Sequence, residues 1–337
     1  MTSAFTPGPT GAADLPADLR SFLITHHHVV TAAEAVELGL NREVLRTLVR
    51  RGLLVRVARG AYVQASLLHE QKQVSDRHLL QARAVLRTMP QQWAASHQTA
   101  AVVWKLPLLN ADLGRVHVAH AAPIGTARKH PTVTVHTHPG PGLVTAHDGI
   151  PTVEPNTAVV GAALLSSLPS GVMAADAALH QGLVTTESLR SALERHRRVP
   201  GVARARQVVE LADGRSESAG ESRLRLILRD LGLEAIPQYV VRDGVKVVAR
   251  VDFYLPGLGV VLEFDGLVKY RGQLSGAGSG SDTVIAERAR ERQIRRLGYG
   301  VGRVIWGELA NVQAVEREIR EAAAQADLQM IARSSAA

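Results

Sequence analysis

Val245-Lys246-Val247-Val248-Ala249-Arg250-Val251-Asp252-Phe253-Tyr254-Leu255, then Pro256-Gly257-Leu258-Gly259, then Val260-Val261-Leu262-Glu263-Phe264-Asp265, decide the fold of the last third of the chain. The β-branched and aromatic runs predict two strands, and Pro-Gly-x-Gly predicts the turn between them. A four-residue loop pairs Leu255 with Val260. Counting back then sets Asp252 opposite Glu263 and Arg250 opposite Asp265, with opposed Cβ atoms about 5 Å apart. Strand alternation puts Glu263 and Asp265 on one face, with Asp252 beside them.

Three carboxylates on an otherwise apolar hairpin repel one another, and a cation among them relieves that. All-oxygen ligands suit Mg²⁺ or Mn²⁺, so one reading is a metal site of Asp252, Glu263 and Asp265 for phosphodiester hydrolysis. The other reading is a solvent-facing acidic edge offset by Arg250.

Outward from the hairpin, residues 217–325 read as helix, hairpin, loop, helix, strand, helix. Gly272 to Ser281 has the Gly/Ser composition of a loop. The helix Ile285 to Leu297 carries five arginines, among them Arg288 and Arg292, which either hold a nucleic-acid backbone or form a charge-laced surface. Asp252, Glu263-Phe264-Asp265-Gly266 and Lys269-Tyr270 resemble the PD-(D/E)XK nuclease superfamily. The similar branch is the one related to very-short-patch-repair endonucleases. Glu221-Ser222-Arg223 on a leading helix and Gly298-Tyr299-Gly300-Val301 to Trp306 add to the resemblance. It implies metal binding by Asp252 and Glu263, with Glu221 near the metal shell. Asp265 stands where the classical motif has Lys, as the similar branch itself favours; the source of a catalytic cation stays open, with Lys269, four residues on, as the candidate and a surface lysine as the competing reading.

At the other end, Thr31 and Glu34 form a capping box for a short helix stopped at Gly39. Asn41 caps a second helix, Arg42 to Arg51, ended by Gly52. Leu53 to Val63 then reads as a hairpin, so the segment predicts a helix-turn-helix with a wing. Arg42, Arg46, Arg50, Arg51, Arg56 and Arg59 stand against one acid, Glu43. They form either a phosphate-neutralising face or a solvated basic one. Val30 to Ala35, Gly39-Leu40 and Leu48 to Tyr62 resemble the winged helix of AbiEi-type antitoxins, which implies promoter binding and repression. Ser96 to Ala101 with Leu106-Pro107-Leu108, Gly149 to Val153 and Ala174 to Leu179 are similar to the region on the C-terminal side of the winged helix in such proteins.

The expected organisation is a disordered lead-in (1–15), a winged helix (16–75), a middle α/β region (76–212), a nuclease-like α/β domain with a mixed sheet (217–325) and a flexible tail (329–337). The fold class is α/β, multidomain. Among the histidines, His136 and His138 share a strand face compatible with a metal, whereas His117 and His120 do not; the competing reading is ordinary surface histidines.

Composition bounds the function. The 337 residues contain no cysteine, which excludes disulfides and thiolate chemistry. A net charge of +8 favours a polyanionic partner. Apolar runs stop well short of the roughly 18 residues that a membrane span needs, and no signal core opens the chain. A cytoplasmic protein with duplex DNA as partner is expected, with homo-oligomerisation left open. Two functions remain: a Mg²⁺-dependent endonuclease with a DNA-binding module, or a regulator or antitoxin whose nuclease-like fold no longer cuts.

Overall fold

Capping and turn residues set the local structure at the N-terminal end. A computed structural model describes residues 15–120, 122, 128–136, 144–266 and 280–336, of which 128–129, 280–284 and 334–336 are described in backbone only. The chain divides into two units, one of Met1–Ala174 with Leu183–Glu210 and one of Ala175–Gly182 with Leu211–Ala337.

The first unit begins with α1 (Ala17–Thr25), β1 (Val29–Thr31), α2 (Ala32–Glu37), α3 (Arg42–Arg50), β2 (Leu54–Ala58), β3 (Ala61–Gln64) and α4 (Ala65–Glu70). The Thr31 side chain accepts from Glu34 N while Glu34 accepts from Thr31 N, so the expected capping box is present. The Asn41 side chain caps α3 through Glu43 N and Val44 N. Gly39 (φ 75°) and Gly52 (φ 69°) take the left-handed backbone that ends each helix. Leu19, Leu23, Ala35, Leu45, Leu48 and Leu54 close a core beneath the helices. The wing hairpin is joined by β1 in the order β1-β3-β2. This is a winged helix.

The unit continues with α5 (Val74–Arg87), β4 (Trp93–Ala95), α6 (His97–Val103), β5 (Val116–His120), β6 (Arg128–Lys129), β7 (Val133–His136), β8 (Val144–His147), β9 (Ile150–Val153), α7 (Pro155–Leu165), the part of α8 (Leu168–His180) up to Ala174, α9 (Thr186–Arg195) and α10 (Val202–Leu211) up to Glu210. Its second sheet has the order β6-β7-β5-β4-β9-β8. The winged helix and the middle region, read from sequence as separate, share one unit because α5 has two apolar sides. Leu80 and Ala84 pack with Val29 and Val63 of the wing sheet, while Ala82, Val85 and Leu86 pack with Ala95, Val118 and Val153.

In the second unit α11 (Ala219–Asp230) precedes β10 (Ile236–Asp243), β11 (Lys246–Leu255) and β12 (Val260–Asp265). The chain goes on through α12 (Gly280–Arg296), β13 (Gly300–Ile305), α13 (Val312–Ala323) and α14 (Leu328–Ala336). The sheet order is β10-β11-β12-β13, antiparallel except for the parallel pair β12 and β13, which makes it mixed as expected. Leu255 pairs with Val260 across the four-residue turn, in the register read from the sequence. β12 is covered on both sides: Val260 and Leu262 join Leu224, Phe253 and Ile319, whereas Val261 joins Ile294, Tyr299 and Val301.

Residues 329–336 of the expected frayed tail belong to the helix α14 (Leu328–Ala336), and Ala337 lies outside the described residues. Asp327 caps it through Gln329 N and Met330 N, and buried Ile331 anchors it. The segment 1–14 of the expected lead-in lies outside the described residues, and Leu15 is buried in the winged-helix core. No described helix is long and apolar enough to cross a membrane.

Candidate functional sites: an arginine groove and a carboxylate cluster

Helical spacing aligns the arginines of α3. Arg42, Arg46 and Arg50 stand at i, i+4 and i+8 along one exposed face, while Leu45 and Leu48 turn into the core. Arg56 and Arg59 of the wing line the same groove, together with Gly60 and Tyr62. Arg50 donates to Thr47 Oγ1 (3.0 Å) and Arg56 to Ala58 O (3.3 Å), so both guanidinium groups are held by neutral acceptors. Like charges one helical turn apart are mildly destabilising unless an anion lies over them. Arg51 does not share this groove. It lines a separate one with Asn41, Glu43 and Thr47.

In the second unit the hairpin brings Asp252 and Glu263 together. Asp252 Oδ2 accepts from Phe264 N at 2.7 Å, beside Glu263 in the chain. Burial pushes the Asp252 carboxyl up to about 6; the Phe264 N–H opposes this, and the charges of Glu221, Glu263 and Glu217 add to it. Glu221 is buried in the first turn of α11, where one carboxylate oxygen accepts from Glu217 N and Gln238 Nε2, both at 2.9 Å. Gln238 follows Pro237 near the start of β10. Its left-handed backbone (φ 52°) interrupts the β10 ladder and turns the amide onto Glu221.

Glu263 has a different partner. Arg290 of α12 forks onto both its oxygens at 2.8 and 3.0 Å, and Arg303 of β13 lies 3.8 Å away. Glu287 binds Arg290 and Arg303, and Glu291 binds Arg303 and Arg295, closing a network of alternating charge. Arg288 and Arg292 are exposed on the same helix, joined by an Arg292 Nε bond to Arg288 O. Arg250 is engaged bidentately by Glu217 at 2.6 and 2.9 Å. Asp265 ends β12 opposite Ile305, and Lys269 lies outside the described residues. Among the described residues, no group of three or more His, Asp or Glu side chains converges to hold a metal.

The middle region corrects the reading of surface histidines. His117 and His97 are buried. His117 Nδ1 lies 2.8 Å from His136 Nε2, and His136 stacks on His97 with centroids 3.6 Å apart. Burial, and then the neighbouring imidazoles, hold His97 well below the usual range. The pairing of parallel β5 and β7 creates this cluster, which spacing within one strand does not reveal. His138 lies outside the described residues.

Residues 18–63 match a family model described as "Transcriptional regulator, AbiEi antitoxin". Two proteins of Mycobacterium tuberculosis, Uncharacterized protein MT2308 (strain CDC 1551) and Uncharacterized protein Rv2248 (strain H37Rv), are each 27% identical over 266 residues, covering 78% of this chain and 89% of theirs. A crystal structure of the RV2827C protein of Mycobacterium tuberculosis aligns with a TM-score of 0.39 at 19% identity, covering 68% of this chain and 87% of that one.

Proposed function

We propose that the chain is a DNA-binding transcriptional regulator of the AbiEi antitoxin kind, which grips duplex DNA between α3 and the β2–β3 wing and does not cut it. The observation that carries this reading is the convergence of Arg42, Arg46, Arg50, Arg56 and Arg59 on one groove. The family match over residues 18–63 supports the same reading. In it, α3 is the recognition helix: Arg42 and Arg46, near its N-terminus, enter the major groove. Arg50, Arg56 and Arg59 neutralise the flanking phosphates. Selection of random duplexes on the full chain tests it. A sequence motif should be enriched, and binding to it should be lost in Arg42→Ala/Arg46→Ala. Failure to enrich any duplex at low salt would refute the proposal.

The second reading, Mg²⁺- or Mn²⁺-dependent hydrolysis, draws its support from the raised Asp252 carboxyl beside Glu263 and Glu221. As arranged, the donor set does not fit a divalent cation, because Arg290 engages both oxygens of Glu263 and Glu221 accepts two protein hydrogen bonds. Supercoiled plasmid incubated with the protein and either metal should remain intact. Nicking that needs the metal and disappears in Asp252→Asn would establish the endonuclease instead.

A further inference from the structure

A cavity of about 460 Å³ opens between the end of α1, the end of α5 and the β8–β9 turn, all within the first unit. That size lies in the range of small-molecule sites. Leu86, Met89, Trp93 and Ile150 give it an apolar wall, while Arg83 and Arg87 give it a cationic rim with His26 and His27 beside them. The two arginines differ in their partners. Arg87 is ion-paired with Glu34. Arg83 is half-buried, and its hydrogen bond among the described residues goes to a neutral acceptor, Asp148 O, at 2.7 Å. The Asp148 carboxylate acts on Arg83 through its charge without hydrogen-bonding it, and pairs with Lys105 at 3.6 Å. A partly desolvated guanidinium that, among the described residues, hydrogen-bonds no carboxylate, in a cavity also lined by Trp93, matches a carboxylate on an apolar body. His27 has a left-handed backbone (φ 53°) beside it. The Arg83 charge, more than burial, lowers the His27 imidazole below its usual range.

We propose that this cavity binds a small organic anion, an aromatic or branched carboxylate, with the carboxylate on Arg83 and the apolar body against Trp93 and Met89, and that its occupation is felt at the N-cap of α2. The route is short. Arg87, in the same rim, donates to His26 O (3.2 Å) and Val29 O (3.0 Å) and binds Glu34 Oε1. The other oxygen of Glu34 accepts from Thr31 N at 2.8 Å and closes the capping box. An anion that draws Arg87 toward the cavity therefore loosens the residue that caps the first helix of the helix-turn-helix.

The inference is independent of DNA binding, and its test contains no DNA. The ¹⁵N-labelled full chain is titrated with indole-3-acetate and, separately, with neutral indole-3-acetamide. Indole-3-acetate should bind saturably and shift the Thr31 and Glu34 amide signals, with the amide at least about tenfold weaker. Arg83→Gln should lower the affinity for the acid by about tenfold, and Arg83→Lys, which keeps the charge, should recover part of it. Should Arg83→Gln fail to fold, the acid-to-amide ratio on the wild-type chain still decides. Equal affinity for acid and amide, unmoved Thr31 and Glu34 signals, or no saturable binding of indole-3-acetate, phenylacetate or isovalerate up to about 10 mM would each overturn the proposal.

Discussion

Both carboxylate oxygens of Glu263 are bound by one guanidinium, that of Arg290, at 2.8 and 3.0 Å. The two side chains are only 17% and 28% exposed, so this is a partly desolvated, bidentate pair rather than a solvated surface contact. It offsets the repulsion among Glu263, Asp252 and Glu221 with an internal cation. The acidic hairpin can therefore fold without an added one.

Removing that cation should be costly. Arg290→Met leaves Glu263 and Glu287 short of a partner and should lower stability by about 2–4 kcal/mol in urea unfolding. In Glu263→Gln/Arg290→Met the loss should be smaller than the sum of the single changes, with a coupling of about 1–3 kcal/mol. Strict additivity would show that the pair contributes nothing beyond its separate residues.

Asp252 supplies a pH test. Its carboxyl is pushed from 3.8 up to about 6, first by burial. The folded chain therefore holds this proton more tightly than the unfolded chain does. The resulting stability is complete below about pH 4 and is lost as pH rises through about 6. Asp252→Asn cannot ionise, yet its amide oxygen still accepts from Phe264 N. The variant should be more stable than wild type by about 1–3 kcal/mol at pH 8, and the gap should close toward pH 4. A gap that stays constant across that range would mean that Asp252 titrates normally.

Much of this arrangement was legible in the sequence, for local reasons. Pro256 to Gly259 fixes a loop length, the loop fixes the Leu255–Val260 pair, and alternation then carries Asp252 to Glu263. Thr31, Asn41, Gly39 and Gly52 likewise announce helix ends within a few residues of themselves. What sequence could not supply is the phase of one element against another. Arg290 alternates with Arg288 and Arg292 in a run of similar residues. Only the packing of α12 on the sheet through Ile294 turns Arg290 toward Glu263 and leaves the other two in solvent. The helix α14 is illegible in the sequence for a similar reason, since its anchor Ile331 meets Gly259 and Gly298 at sites distant in sequence.

The approach of α11 to β12 depends on a missing side chain. A Cβ at Gly220 would lie 2.0–2.5 Å from ring atoms of Phe264. Gly220→Ala should therefore destabilise the second unit by about 1–3 kcal/mol despite the better helix propensity of Ala. With the ring shortened by Phe264→Leu, adding Gly220→Ala should cost little more. A thermal melt in which Gly220→Ala alone is neutral would remove the close packing from the account.

The arginines of the winged helix separate by groove, and that separation makes the DNA-binding proposal quantitative. Arg46, Arg50, Arg56 and Arg59 line the cleft between α3 and the wing, whereas Arg51, adjacent in sequence, lines another with Asn41 and Thr47. Each phosphate contact released on mutation should reduce the slope of log affinity against log salt by about 0.9. Arg50→Ala, Arg56→Ala and Arg59→Ala should each flatten the slope by about that much, and the triple variant by about three times as much. Arg51→Ala should leave it unchanged, although it removes the same charge from the same helix end. Fluorescence anisotropy on one duplex between about 50 and 200 mM salt provides the comparison. If Arg51→Ala flattens the slope as much as Arg50→Ala does, the effect is one of net charge, and the groove has no privileged contact with the backbone. If only the groove variants respond, the surface between helix and wing is where the duplex lies.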